Sequence, residues 1–360
     1  MRDMLFKLME VKNNLRKDNG LYWASTGKNY RYTWLRDNYH CARVDLRYDH
    51  AKYKQTYQTT LDYFHLIEKE YNKISSLLEN PYDKTGYRYI HPRFNIDLSE
   101  IHHESWGYKQ WDAVFMTLKG VVEGENAGIR IIRDSEDIKI INMIIKAAYR
   151  MECWSDPESG AWENETDIRL STLGIILSSL QDLYEFKRFD IPYDFISKVS
   201  KAFYALFPNE TCYRKYDLAQ LFLIYPFKVL KGVEAELIIN NIENNLLREQ
   251  GVIRHIGDWY YNRANRYDME RFGFMDMYLP ETSLIGNEAE WVKGFAYLGL
   301  AHLTLGNISA ARSYLNKLLK GHEDGILPEL YFAKSNRFND NYPLAWTVCA
   351  AIELLDKIDN

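Results

Sequence analysis

No stretch of this sequence approaches the ~20 apolar residues that a membrane span needs. Its first residues, Met1-Arg2-Asp3-Met4-Leu5-Phe6-Lys7, scatter charges where a secretion signal needs an apolar run. Cysteine is scarce: Cys41, Cys153, Cys212 and Cys349 lie far apart and form no Cys-x-x-Cys pair. The expectation is a reduced, cytoplasmic protein with buried thiols. An excess of basic charge is also missing. The 45 Lys and Arg face 50 Asp and Glu, a net charge of −5, which argues against nucleic acid or an anionic membrane as partner. There is no Walker loop, no Gly-x-Gly-x-x-Gly after a strand, no His-Glu-x-x-His and no Gly-x-Ser-x-Gly, so the chemistries those motifs carry find little support. His102-His103-Glu104 hints at a metal, but adjacent side chains diverge and no second cluster has ligand spacing. No metal and no cofactor are expected.

Alternating β-type runs are scarce too; what is present is helical periodicity. Ile138, Ile141, Ile145 and Ala148 follow a three-and-four spacing behind Asp134 and Ser135. Trp291, Phe295, Leu298 and His302 repeat it behind Asn287, with Glu290 three residues on as in a capping box. A last helix is expected to open with Pro343 in its first turn. Further helices are expected near 1–18, 36–79 (two of them), 108–125, 169–186, 192–206, 216–230, 232–247 and 308–320, about a dozen in all. Long loops at 21–35, 86–111, 154–168, 251–287 and 322–342 separate them, rich in Trp, Tyr, Arg, Asp, Glu and Gly. Loops of that length in compact proteins are usually functional. The expected architecture is all-α, a toroid of paired helices with its active-site loops at one rim. No Pro/Ser-rich linker divides the chain, so one domain over 1–360 is expected.

Aromatic content is high, with 28 Tyr, 16 Phe and 9 Trp. Large core residues would explain it, but Tyr and Trp also stack on sugar faces while their polar tips hydrogen-bond. Four constellations lie in the long loops. Tyr30-Arg31-Tyr32-Thr33-Trp34-Leu35-Arg36-Asp37 sets charged hydrogen-bonding groups beside flat rings. It reads equally as a helix start, with Asp37 favoured by the dipole and Arg36 as its partner. Arg93-Phe94-Asn95-Ile96-Asp97 precedes a cluster of Trp106, Gly107, Gln110, Trp111 and Asp112, where Trp106 is a stacking platform or a filler beneath a loop. In Ser159-Gly160-Ala161-Trp162-Glu163 a carboxyl follows a Trp directly. Apolar surroundings would keep such a group protonated as a general acid, whereas most surface carboxylates are merely solvated. Gly325-Ile326-Leu327-Pro328-Glu329 offers a partner carboxylate ahead of Pro343-Leu344-Ala345-Trp346. Leu279-Pro280-Glu281 echoes it, and either could be only a turn.

Taken in order, the four constellations resemble the glucoamylase family, glycoside hydrolase family 15. The resemblance covers roughly residues 21–355. It rests on the aromatic-Thr-Trp-x-Arg-Asp segment, Phe-Asn-x-Asp followed by Ser-Trp-Gly, the Trp-Glu loop, and Leu-Pro-Glu followed by Pro-Leu-x-Trp. It implies an (α/α)6 barrel, inverting hydrolysis from the non-reducing ends of α-glucans or short α-glucosides, and no cofactor. Glu163 matches the family's general acid and Glu329 its base, with Glu281 as the alternative. Tyr30, Trp34, Arg36, Asp37, Trp106 and, more loosely, Arg254 match sugar-binding positions. Gln110, Asp112 and Trp162 complete the candidate set. An inverting enzyme keeps its carboxyl groups about 6.5–9.5 Å apart to admit a water.

Some positions depart from the family's pattern. Tyr108-Lys109 follows Trp-Gly where Arg-Pro is common, Leu330 follows Glu329 where Gln is common, and neither an N-terminal β-sandwich nor a starch-binding domain is expected. These differences leave the outer subsites open, and with them the choice among starch, maltodextrin, isomaltose and trehalose. Asn287-Glu288-Ala289-Glu290-Trp291 is also similar to the phosphorylase kinase regulatory subunits, which keeps a non-catalytic glucan-binding or regulatory reading in play. A third reading, an α/α-barrel epimerase or lyase, would put His102, His103 or His255 at the centre of the chemistry.

Overall fold

The computed structural model describes residues 2–100 and 107–359. Trp106, His102 and His103 lie outside the described residues. Two compact units emerge, the first built from 15–24 and 31–213, the second from 1–14, 25–30 and 214–360.

In the first unit the helices are α2 (Leu35–Tyr48), α3 (His50–Tyr71), α4 (Lys73–Glu79), α5 (Trp111–Asn126), α6 (Ser135–Arg150), α7 (Leu170–Phe186) and α8 (Phe195–Leu206). The 36–79 segment therefore holds three helices rather than two, because Asn72 adopts a left-handed conformation (φ 49°) that ends α3 and starts α4. Over 111–122, α5 is buried on every side, and so is most of α7; a helix apolar all round has to sit between other elements. Both pack on each other, and α5 also packs on α2. By contrast α6 and α8 bury one stripe only. As expected, Asp134 caps α6, its carboxylate accepting from the Glu136 and Asp137 N–H groups. A short antiparallel pair, β1 (Thr33–Trp34) with β2 (Arg93–Phe94), aligns Trp34 with Arg93.

The second unit repeats the plan. It contains α1 (Arg2–Leu15), α9 (Gly232–Asn245), α10 (Arg266–Arg271), α11 (Lys293–Thr304), α12 (Ile308–Leu319) and α13 (Ala345–Asp359). Here α11 and α13 are enclosed, while α9 and α12 are amphipathic. Three expectations need correction. The 216–230 segment is a short 3-10 helix, Leu218–Leu223, capped by Asp217 and Gln220, and Pro226, which has no N–H to give, lies just beyond it. Asn287 caps nothing: its amide donates to Glu281 and to the Ser283 carbonyl, and α11 starts only at Lys293. Glu290–Trp291 instead forms β3, which pairs antiparallel with β4 (Leu330–Tyr331). Finally α13 begins at Ala345, beyond Pro343, and the Leu344 carbonyl accepts its first turn's bond from the Val348 N–H at 3.0 Å.

Among the described residues no disulfide joins the four cysteines, and no helix is long and apolar enough to cross a membrane. Cys41, Cys153 and Cys349 are buried; Cys212 is exposed, against expectation.

Candidate active site

In the first unit the acid-loop candidate is held from its base. Backbone bonds join Glu158 and Asp167 in both directions at 3.0 Å, and the Ser159 N–H donates to the Lys109 carbonyl at 2.7 Å. A turn of 3-10 helix, Gly160–Trp162, follows and leaves Glu163 in the left-handed region at φ 57°. Gly160 itself has φ 62°, and a Cβ there would lie 2.4 Å from the Arg169 side chain, so the tight approach needs glycine. Glu158 is buried and accepts from the Gly160 N–H (2.9 Å) and the Thr172 hydroxyl (2.7 Å). Burial, then the charge of Asp112, push its carboxyl up to about 8.

Glu163 keeps 16 % of its side chain accessible. Its Oε1 accepts from Trp34 Nε1 (2.9 Å), Gln110 Nε2 (3.2 Å) and Arg36 (3.3 Å). Arg36 in turn donates to Asp112 Oδ2 at 2.7 Å and to Gln110 Oε1 at 2.8 Å. Five candidates from three separate segments, Trp34, Arg36, Gln110, Asp112 and Glu163, are thus one hydrogen-bonded group. Burial works against the Arg36 charge, but Asp112 and then Glu163 outweigh it. Asp37 is buried in the first turn of α2, where the dipole favours it, and Trp162 is buried in the 3-10 turn. Arg93 lies over Trp34, 5.3 Å from its ring centre. Trp106 is outside the described residues, so its place is open.

The second unit gathers a different set. Glu329 immediately precedes β4, and its side chain is buried. Its carbonyl accepts from Val292 and its N–H donates to Asn341, both at 3.2 Å. Its carboxylate accepts from the Tyr30 hydroxyl at 2.9 Å, from Asn339 at 2.6 Å and from Asn341 at 2.7 Å. Burial and the Glu329 charge raise the Tyr30 phenol far above its ordinary value, so it stays a donor. Since the one proton of Tyr30 goes to Glu329, Tyr260, 3.2 Å away, donates to Tyr30. Arg254 pairs with Asp258 at 2.6 and 2.7 Å and lies 4.9 and 4.8 Å from the Tyr260 and Trp291 ring centres. Tyr30, Arg254 and Glu329 are therefore parts of one neighbourhood, linked through Tyr260.

Glu281 stands apart from it. Half-exposed, it accepts from Asn287 and lies 4.0 Å from Lys334. His255 is buried and its imidazole is held neutral, burial outweighing the nearby Asp258. Glu158, Tyr260, Asp258, Asn339 and Asn341 were not singled out in the sequence. The Asn-x-Asn spacing was the available signal, because alternate residues of an extended segment share a face.

Comparison with known proteins places the chain. The profile of glycosyl hydrolases family 15 matches residues 15–353. A glycosidase variant solved in complex with glucose has TM-score 0.74 and 18 % identity, covering 99 % of this chain and 98 % of its own. The glucoamylase from Saccharomycopsis fibuligera has TM-score 0.64 and 13 % identity, with 99 % and 94 % covered. These likenesses show the fold, the all-α (α/α)6 class. The liver alpha regulatory subunit of phosphorylase b kinase from Mus musculus is 23 % identical over 285 residues, 72 % of this chain. That match spans only 23 % of the curated relative's length. With the profile match running over nearly its whole length, and with the glycosidase fold, the chain belongs to glycosyl hydrolases family 15.

Proposed function

We propose that this chain is an inverting, exo-acting α-glucoside hydrolase of the glucoamylase kind, a glucan 1,4-alpha-glucosidase releasing β-glucose from non-reducing ends. The observation that carries the reading is the unequal dressing of two carboxyl groups. Among the described residues Glu329 receives hydrogen-bond donors at both oxygens, which suits an ionised, acceptor-only group. Those bonded to Glu163 all enter at Oε1, leaving Oε2 to carry a proton. In the proposed step Glu163 gives that proton to the glycosidic oxygen as the C–O bond breaks. Glu329 takes a proton from a water that attacks the anomeric carbon from the opposite face, and the configuration inverts. Trp34, Arg36, Asp37, Trp106, Gln110, Asp112, Trp162, Tyr30 and Arg254 hold the terminal glucose. The family match running through both units supports one catalytic domain over 1–360. The buried Cys41, Cys153 and Cys349 support a cytoplasmic location.

Glucose release from maltose, maltotriose, isomaltose, trehalose and soluble starch, with NMR following the first anomer formed, tests the reading. β-Glucose from an α-linked substrate is expected, and the preferred substrate names the enzyme. Glu163→Gln and Glu329→Gln should each lower turnover by about 10²–10⁴-fold. A Glu329→Gln enzyme of normal activity would move the base to Glu281. A second reading follows from the kinase-subunit likeness: a domain that binds glucan without turnover. Glucan binding with no glucose released from any of the five substrates would establish it in place of the first.

A further inference from the structure

The segment that follows β4 turns back on itself. The Phe332 N–H donates to the Arg337 carbonyl and the Asn339 N–H to the Leu330 carbonyl, and the Asn341 carbonyl accepts from Glu329 itself. Along the returning arm burial alternates: Phe338, Asp340 and Tyr342 are exposed, Asn339 and Asn341 are buried. That period of two is the signature of extended chain, and it puts the two asparagine amides on the same side. Both donate to one oxygen, Glu329 Oε2, at 2.6 and 2.7 Å, while Tyr30 holds Oε1. Two converging amides and a phenol fix both the position and the rotation of the carboxylate plane. Of the roughly four acceptor positions a carboxylate offers, about one is left for a further donor.

We infer that Asn339 and Asn341 are positioning residues that clamp the Glu329 carboxylate so that its one remaining acceptor position meets the attacking water. The inference rests on the proposed role of Glu329 as base. A carboxylate free to rotate spends little of its time aligned, and a misplacement of about 1 Å can cost on the order of 10²-fold in rate. Around Glu329 the other facing groups are the Tyr30, Tyr260 and Tyr261 phenols and the Arg254–Asp258 pair.

The test uses the full chain and the member of the substrate panel that it hydrolyses fastest. Asn339→Ala and Asn341→Ala should each lower kcat by about 10–10²-fold with KM little changed. The acid-side limb of the kcat profile should move to higher pH. The isosteric Asn339→Asp and Asn341→Asp each keep the shape, remove one of the two amide donors and set a like charge beside Glu329. They should fold and lose more turnover, which decides the matter if the alanine variants do not fold. Wild-type kcat and an unmoved acid limb in the folded aspartate variants, with Glu329→Gln inactive, would overturn the clamp and leave the base assignment standing. Normal turnover by Glu329→Gln, or none by the wild type, would overturn the base assignment and the clamp with it.

Discussion

A guanidinium shut away from water is costly unless its charge is met, and Arg36 meets it on several sides at once. Asp112 takes one nitrogen at 2.7 Å, while Gln110 and Glu163 share the other. Removing one partner of such a pair strands the rest. Arg36→Ala should therefore lower stability by about 3–5 kcal/mol, read from urea midpoints, as well as abolishing turnover. Wild-type stability in that variant would mean that Asp112 finds water or another partner. The candidates in this group were legible from neighbouring residues: Trp34 to Asp37, Gln110 to Asp112, and Trp162-Glu163 each stood in a compact motif. Their mutual arrangement was not. The sequence sets Arg36 beside Asp37, but a helix turns adjacent side chains apart, and Arg36 reaches 76 residues along the chain to Asp112. Glu158 escaped notice because nothing in Pro157-Glu158-Ser159 says that the carboxyl will be buried.

Element by element, periodicity found nearly all the long helices, because an apolar stripe at 3.6-residue spacing survives in the sequence whatever the helix packs on. It failed where tertiary bonds override local preference. Asn287 with Glu290 has the residues of a capping box, yet pairing Glu290–Trp291 with Leu330–Tyr331 recruits the segment as strand. The short α10, Arg266–Arg271, carries too few turns to show a stripe. The enclosed helix α5 illustrates what close packing demands. A Cβ at Gly120 would sit 1.7 Å from the Tyr57 hydroxyl, and the Tyr53 hydroxyl donates to the Gly120 carbonyl at 2.6 Å. Glycine in mid-helix is otherwise unfavourable, so the approach of α3 is what keeps it there. Gly120→Ala should cost about 1–3 kcal/mol despite alanine's better helix propensity, seen as a lower melting temperature. A stabilised variant would show that α3 can move away without loss.

At the scale of the molecule, two buried carboxyls bend the dependence of stability on pH in different windows. Burial raises Asp137, but the Arg133 hydrogen bonds, followed by that of His65, outweigh it and hold it at about 2. Its folded value is depressed, so its contribution is present above the ordinary 3.8 and is lost as pH falls toward 2. Glu158 works the other way. The folded chain retains a proton that the unfolded chain has released, so stability declines as pH rises from the ordinary 4.5 toward 8. Glu158→Gln, which keeps an acceptor for Gly160 without titrating, should flatten that decline in urea unfolding at pH 5, 6.5 and 8. An unchanged slope would mean that Glu158 is ionised when folded. The order of the chain through the two units also has a consequence in time. The second unit takes residues 1–14 and 25–30 together with 214–360, and within it Tyr30 and Glu329 are 299 residues apart. On a ribosome adding roughly 5–20 residues per second, Tyr30 emerges about 15–60 s before Glu329 is made. Through that interval the second unit cannot close, and residues 25–30 must be kept from premature pairing until Glu329 has been added.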